Sequence, residues 1–234
     1  VIDWTPLHED AGLWCAEWQA GGAPINRSVA LRLRDGGTVV VSPLAKAPPE
    51  SDETLRQLGE PRFLLAPNHF HNLGLKPYRA RFPDAAVVAS EVAAKRLGRV
   101  AKVDVGPLAA LVDALPDHAT LLQPPGTRNG EVWLRVETAA GVAWVVTDAF
   151  FRFDPLPTGP NGWILRTFGV RAGLGIIGTF KFVGLADRPA YGAWLREQLA
   201  TDPPSVLISA HGHLAGGPEL PGQLSALVKR HFGG

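Results

Sequence analysis

Four of the chain's seven histidines stand in two pairs, His69-Phe70-His71 and His211-Gly212-His213. Each pair follows an apolar run, Phe63-Leu64-Leu65-Ala66 before the first and Val206-Leu207-Ile208 before the second. A third run, Val142 to Val146, leads through Thr147 to Asp148. Short apolar runs of this kind read as buried strands. Strands of an open sheet deliver their carboxyl ends to one edge, where ligands bind. Imidazole and carboxylate gathered at that edge suit zinc, iron or manganese. Residues two apart in extended backbone point the same way. His69 and His71 are therefore expected to chelate one ion together, and His211 with His213 likewise, although Gly212 suggests a turn in the second pair. A carboxylate at Asp148 is costly in so apolar a setting unless it is paired or metal-bound.

The elements that must carry these groups can be read around them. Val29, Leu31 and Leu33 alternate with Ala30, Arg32 and Arg34, and Asp35-Gly36-Gly37 supplies turn residues before Thr38 to Val41. That is a hairpin over 28–41. Ser51-Asp52-Glu53-Thr54 opens a short amphipathic helix through Leu58. Phe63 to Ala66 is a strand, Lys76 to Phe82 a helix stopped at Pro83-Asp84, Ala86 to Ala89 a strand and Glu91 to Leu97 a helix. Val132 to Thr138 and Val142 to Val146 form a second hairpin turning at Ala139-Ala140-Gly141. Ala190 to Leu199 is a helix, Val206 to Ser209 a strand and Leu220 to Phe232 a closing helix. A β-rich first half and a β-rich second half with helices between fit two packed sheets with helices outside. The stretch 155–189 is expected to be a lid or an inserted helical segment on a single domain spanning 1–234.

Composition narrows the function. Lys plus Arg is 23 against 22 for Asp plus Glu, which argues against a general nucleic-acid surface. Cys15 is the only cysteine, so neither an intrachain disulfide nor a thiolate zinc cluster can form. No apolar run reaches the roughly 20 residues that span a bilayer, and Val1-Ile2-Asp3-Trp4 lacks a secretory start, so a cytoplasmic location is expected. The string Gly173-Leu174-Gly175-Ile176-Ile177-Gly178 matches a dinucleotide fingerprint, but no clear strand ends before it and Pro189 interrupts what should follow. A closely packed or lid-like segment is the expectation there. Trp14 and Trp18 are expected in the core.

Taken in order, these features resemble the metallo-β-lactamase superfamily over roughly 25–213. The Asn26 to Val41 hairpin is similar to that family's opening hairpin, and His69-Phe70-His71 falls where it carries His-x-His-x-Asp-His. Pro124-Pro125-Gly126-Thr127 stands at its proline-glycine-histidine-threonine loop. Thr147-Asp148-Ala149-Phe150 resembles its metal-bridging aspartate, and Ile208 to His213 its closing histidine strand. Ala66-Pro67-Asn68, His71, the basic helix Lys76 to Arg81 and Phe82-Pro83-Asp84-Ala85 resemble a divergent branch of undefined function, in which His71 is the surer match. The resemblance implies an α/β, αββα sandwich with two mixed sheets and helices outside. It implies one divalent ion, zinc first and iron or manganese otherwise, on His69, His71, Asp148 and His211.

Departures limit what carries over. Leu73 and Gly74 stand where the family has Asp and His, Gly126 is followed directly by Thr127 with no loop histidine, and Ser42 replaces the usual acid after the second hairpin strand. The expected activity is mononuclear, metal-dependent hydrolysis of an ester, thioester, amide or phosphoester. Asp148 would orient water and His213 carry a proton, while Arg166, Arg171 and Lys181 would neutralise an anionic small-molecule substrate or simply lie solvated. A homodimer fits the apolar stretch Trp163 to Val183. The rival reading is a member of the fold that binds a ligand or partner without catalysis and without a metal.

Overall fold

Alternation along single strands decides the layers of this protein. Val39 and Val41 are buried on one face of their strand and Val40 on the other; Leu13 and Cys15 divide in the same way from Trp14 and Ala16. A strand that is apolar on both faces must be covered on both. The computed structural model describes residues 3–19, 23–178 and 180–233. Val1, Ile2 and Gly234, at the ends of the expected domain, and Thr179, within the expected lid, lie outside the described residues.

In chain order the first half contains β1 (Trp4–His8), β2 (Leu13–Trp18), β3 (Asn26–Arg32), β4 (Thr38–Val41), α1 (Ser51–Leu58), β5 (Pro61–Leu65), α2 (Leu75–Arg81), β6 (Ala86–Val88), α3 (Glu91–Val100) and α4 (Ala109–Ala114). The second half contains β7 (Ala119–Leu122), β8 (Trp133–Thr138), β9 (Gly141–Val146), β10 (Phe151–Phe153), α5 (Gly159–Thr167), β11 (Gly173–Gly175), α6 (Phe180–Val183), α7 (Arg188–Thr201), β12 (Val206–Ser209), β13 (Ala215–Gly216) and α8 (Leu220–Phe232).

The first sheet runs β1-β2-β3-β4-β5-β6, antiparallel up to β4 and parallel from β4 through β6. The second runs β13-β12-β9-β8-β7, with β9 and β12 parallel. The sheets face one another across Leu13, Val29, Leu31, Val41, Leu65 and Val145 among others. Outside the first sheet, Leu55, Leu75, Tyr78 and Leu97 bring α1, α2 and α3 onto Trp14, Val40 and Leu64. Outside the second, Tyr191 and Leu195 of α7 and Leu224 and Val228 of α8 cover Trp133, Trp144 and Leu207. The result is the αββα sandwich with two mixed sheets. Among the described residues no helix is long and apolar enough to cross a membrane.

Two expectations are refined. Gly173-Leu174-Gly175 is β11, paired antiparallel with β10, and not the turn between a strand and a nucleotide-binding helix. The connection over 101–131 holds α4 and β7, elements of six and four residues that span no more than two periods of apolar spacing.

Candidate metal centre

The parallel strands set the site. β4 and β5 in one sheet and β9 and β12 in the other end at the same rim, and Ser42, His71, Asp148 and His211 follow those four ends. Together they line one cavity of about 310 Å³, whose apolar rim includes Trp18, Leu44 and Phe70.

Asp148 is the meeting point. Its Oδ1 lies 3.3 Å from His71 Nε2 and 3.6 Å from His211 Nε2. One donor atom from each of the three residues falls within 4.8 Å of the other two. Tetrahedral N/O ligands at zinc distances sit about 3.4 Å from one another, so this donor set fits a divalent ion. Burial pushes the His71 imidazole down in pKa, but the adjoining Asp148 carboxylate outweighs it and the group ends above its ordinary value. Burial pushes Asp148 up, and the two imidazoles more than reverse that, holding its carboxyl well below the usual range.

Each member is held from behind. Ser42 Oγ lies 2.6 Å from His71 Nδ1, which leaves Nε2 facing Asp148. Ser42 adopts φ +54°, a conformation unfavourable for a residue with a Cβ, and such strain gathers at functional positions. Asn68, fully buried, donates from Nδ2 to Asp148 Oδ2 at 2.8 Å and to Thr147 Oγ1 at 3.1 Å. Its Oδ1 accepts from the N–H groups of Phe70 and His71. Thr147 donates in turn to Glu131 Oε1 at 3.0 Å, which also accepts from Trp133 Nε1. Burial, with Asp148 nearby, pushes Glu131 up to about 7. On the far side, the buried guanidinium of Arg27 donates to the carbonyls of Ser209 and Gly212 and pairs with Glu17, bracketing the loop that carries His211.

His69 lies outside the convergent donors. The expectation of a shared chelate assumed extended backbone, whereas His69-Phe70 occupies a turn closed by Asn68. The His69 ring instead meets Phe70 edge-on at 4.3 Å, and burial with Arg96 nearby lowers its pKa. His213 is also set apart. Gly212 adopts φ +82°, a conformation L side chains rarely adopt, and His213 lines a different depression beside Phe153 and Pro155. The proton-carrier role expected of it has no geometric support from that position.

The departures from the family pattern have packing counterparts. Leu73 is 75% exposed at the rim, and a Cβ at Gly74 would run into the Pro43 carbonyl. A histidine at 74 has no room on this backbone. The loop at Gly126 is tied down by N–H donors from Ala186 and Asp187. Among the described residues, none of 155–189 lines the cavity at Asp148. Asn68, Ser42, Glu131 and Arg27 are the positioning groups that residue types alone left unassigned. The available signals were a carboxylate at the head of the apolar strand Val132 to Leu134, and an arginine inside an apolar hairpin.

No protein-family model matches the chain, and no curated protein matches it. Solved structures do. A metallo-β-lactamase from Pontibacter korlensis superposes with a TM-score of 0.62 at 11% identity, covering 98% of this chain and 99% of that one. The fold is that of the metallo-β-lactamases. The FIM-1 metallo-β-lactamase from Pseudomonas aeruginosa, in its mono-zinc form, gives 0.60 at 10% identity over 98% of this chain and 95% of its own. A mutant flavo di-iron protein from Thermotoga maritima gives 0.60 at 13% identity, covering 97% of this chain and 61% of its own. Within the metallo-β-lactamase fold, this chain is a divergent case: the architecture is complete and the sequence correspondence is low.

Proposed function

We propose that this protein is a metal-dependent hydrolase with one divalent ion, zinc first, held by His71, Asp148 and His211. The observation that carries the reading is the convergence of two imidazoles from opposite halves of the chain on one oxygen of Asp148. When bound, such an ion supplies a Lewis acid for a carbonyl or phosphoryl oxygen and acidifies water near neutrality. The rest falls to the chain. Ser42 fixes the ring of His71, Asn68 fixes the carboxylate of Asp148, and Arg27 fixes the loop of His211. The apolar wall of Trp18, Leu44 and Phe70 excludes water around a small acyl or phosphoryl substrate. Lys46, on the same rim, offers a positive charge for an anionic group of the substrate. One neighbour of the same fold is a mono-zinc enzyme form, in keeping with a single-ion centre.

The test is a panel of ester, thioester and phosphoester substrates assayed on protein of measured metal content. Hydrolysis that tracks zinc content and is lost in Asp148→Asn supports the reading. Protein that takes up no zinc when it is supplied and hydrolyses nothing, yet binds a small molecule in this cavity, favours the non-catalytic alternative.

A further inference from the structure

The stretch between Asp154 and Asp187 contains no acidic residue, yet it carries Arg166, Arg171 and Lys181. Its described part, α5, β11 and α6, leaves large apolar side chains in water: Trp163 at 67% exposed, Phe182 at 65% and Phe168 at 53%, with Ile164 and Val183 beside them. Monomeric proteins seldom leave such groups together without a use. On α5 and just beyond it, Trp163, Ile164, Thr167 and Phe168 follow the i, i+4 spacing of one helical stripe, and all four are exposed.

A second observation places positive charge close to the end of that stripe. Arg171, Arg230 and His231 line an open depression of about 570 Å³, floored by Phe151, Leu174 and Leu227. No acidic residue lines it, and none occurs in α8. Among the described residues, Arg171, Lys181 and Arg230 have no ion-pair partner. Burial lowers the pKa of His231, and the neighbouring Lys181 and Arg230 lower it further. Phe168 precedes Gly169 on the wall of the depression, and Lys181 precedes Phe182, which Arg188 covers at 4.4 Å. Phe168 therefore adjoins the cationic hollow, and Phe182 follows Lys181, whose charge reaches His231.

We propose that this face docks on an anionic lipid bilayer, with Trp163, Phe168 and Phe182 in the interface and Arg171, Lys181 and Arg230 against lipid phosphates. The composition suits that occupant: aromatic and aliphatic tips with Arg and Lys alongside are what the headgroup boundary accepts. A second copy of the chain fits less well, because a two-fold interface would set the same cations against themselves. Nucleic acid also fits less well: Trp163, Phe168 and Phe182 offer stacking faces, but the exposed Ile164 and Val183 beside them find a partner in acyl chains and none on a nucleic acid. This docking does not depend on the metal reading, because the face is separate from the cavity at Asp148.

The experiment is flotation of the chain with phosphatidylcholine vesicles containing phosphatidylglycerol, against phosphatidylcholine alone, at low and high salt. Flotation with the anionic vesicles only, weakened by salt, is the expected result. Each cation near the surface contributes about fivefold in partitioning. Arg171→Gln with Lys181→Gln should therefore weaken binding roughly 25-fold. Trp163→Ser with Phe182→Ser should abolish it, with an unchanged circular dichroism spectrum. Absence of flotation in the unmodified protein overturns the proposal, as does equal flotation with neutral vesicles. Self-association through Trp163 without vesicle binding, or retention on single-stranded DNA without vesicle binding, overturns it as well.

Discussion

At His71 the ring is strung between a serine hydroxyl and a carboxylate, and that arrangement assigns separate work to its two nitrogens. Nδ1 faces Ser42 and Nε2 faces Asp148. Groups that orient a liganding histidine typically cost 10–100-fold in metal affinity when removed. Ser42→Ala is therefore expected to weaken zinc binding by about 10–100-fold, while His69→Ala leaves it unchanged; calorimetric titration of the two variants separates them. Glu131 makes a different prediction. Its acid is raised from 4.5 to about 7 in the folded protein, chiefly by burial. Below the ordinary value both folded and unfolded chains hold the proton. As pH rises from about 4.5 to about 7, the unfolded chain releases it first, and the native state loses stability. The loss is on the order of 3 kcal/mol and stays constant above that window. Glu131→Gln has no such proton to lose. Its thermal midpoint in the presence of chelator should match the unmodified protein at acid pH and exceed it near neutrality. Equal midpoints at every pH would remove the buried acid from the picture.

At the scale of elements, the parts that deliver the site were legible where a period or a turn could be seen. The 28–41 hairpin, the strand before His69, the second hairpin before Asp148 and the strand before His211 each combine an apolar run with a boundary residue, and each is present. Turn geometry was legible at one histidine pair and not at the other. Strand spacing pairs His69 with His71, but Asn68 turns that segment; at the second pair the turn is signalled by Gly212 and is present. The first reversal rests on one asparagine side chain and leaves no pattern in the residue types. The short elements α4, β7, β10 and β11 were hidden because each spans no more than two periods of apolar spacing. Gly74 illustrates how close packing replaces chemistry at this rim. A Cβ there meets the Pro43 carbonyl, so Gly74→Ala must push the start of α2 away from the end of β4. Overpacking of this kind costs about 1–3 kcal/mol, and denaturant unfolding should report it. A variant as stable as the parent would mean that the two segments separate freely.

For the whole molecule, the sandwich exists to bring two sheets' strand ends to one edge. Three apolar layers hold it: the seam between the sheets and the two outer faces under the helices. The seam includes Leu31 and Val41 from the first half and Val136 and Val145 from the second, all buried, so the halves cannot shift without opening it. Leu31→Ala should cost roughly 2–5 kcal/mol by leaving a cavity there. It should also loosen the site, seen as weaker zinc binding in addition to a lower unfolding midpoint. The layered class was readable from the succession of apolar runs; which residues meet across the seam was not, because that depends on how the sheets pack in space. The decisive measurement is the zinc stoichiometry of the purified chain and of two variants, His71→Ala from the first half and His211→Ala from the second. One ion per chain, lost in both variants and retained in His213→Ala, is the result expected of a centre shared between the halves. Zinc bound equally well without either His71 or His211 would contradict it.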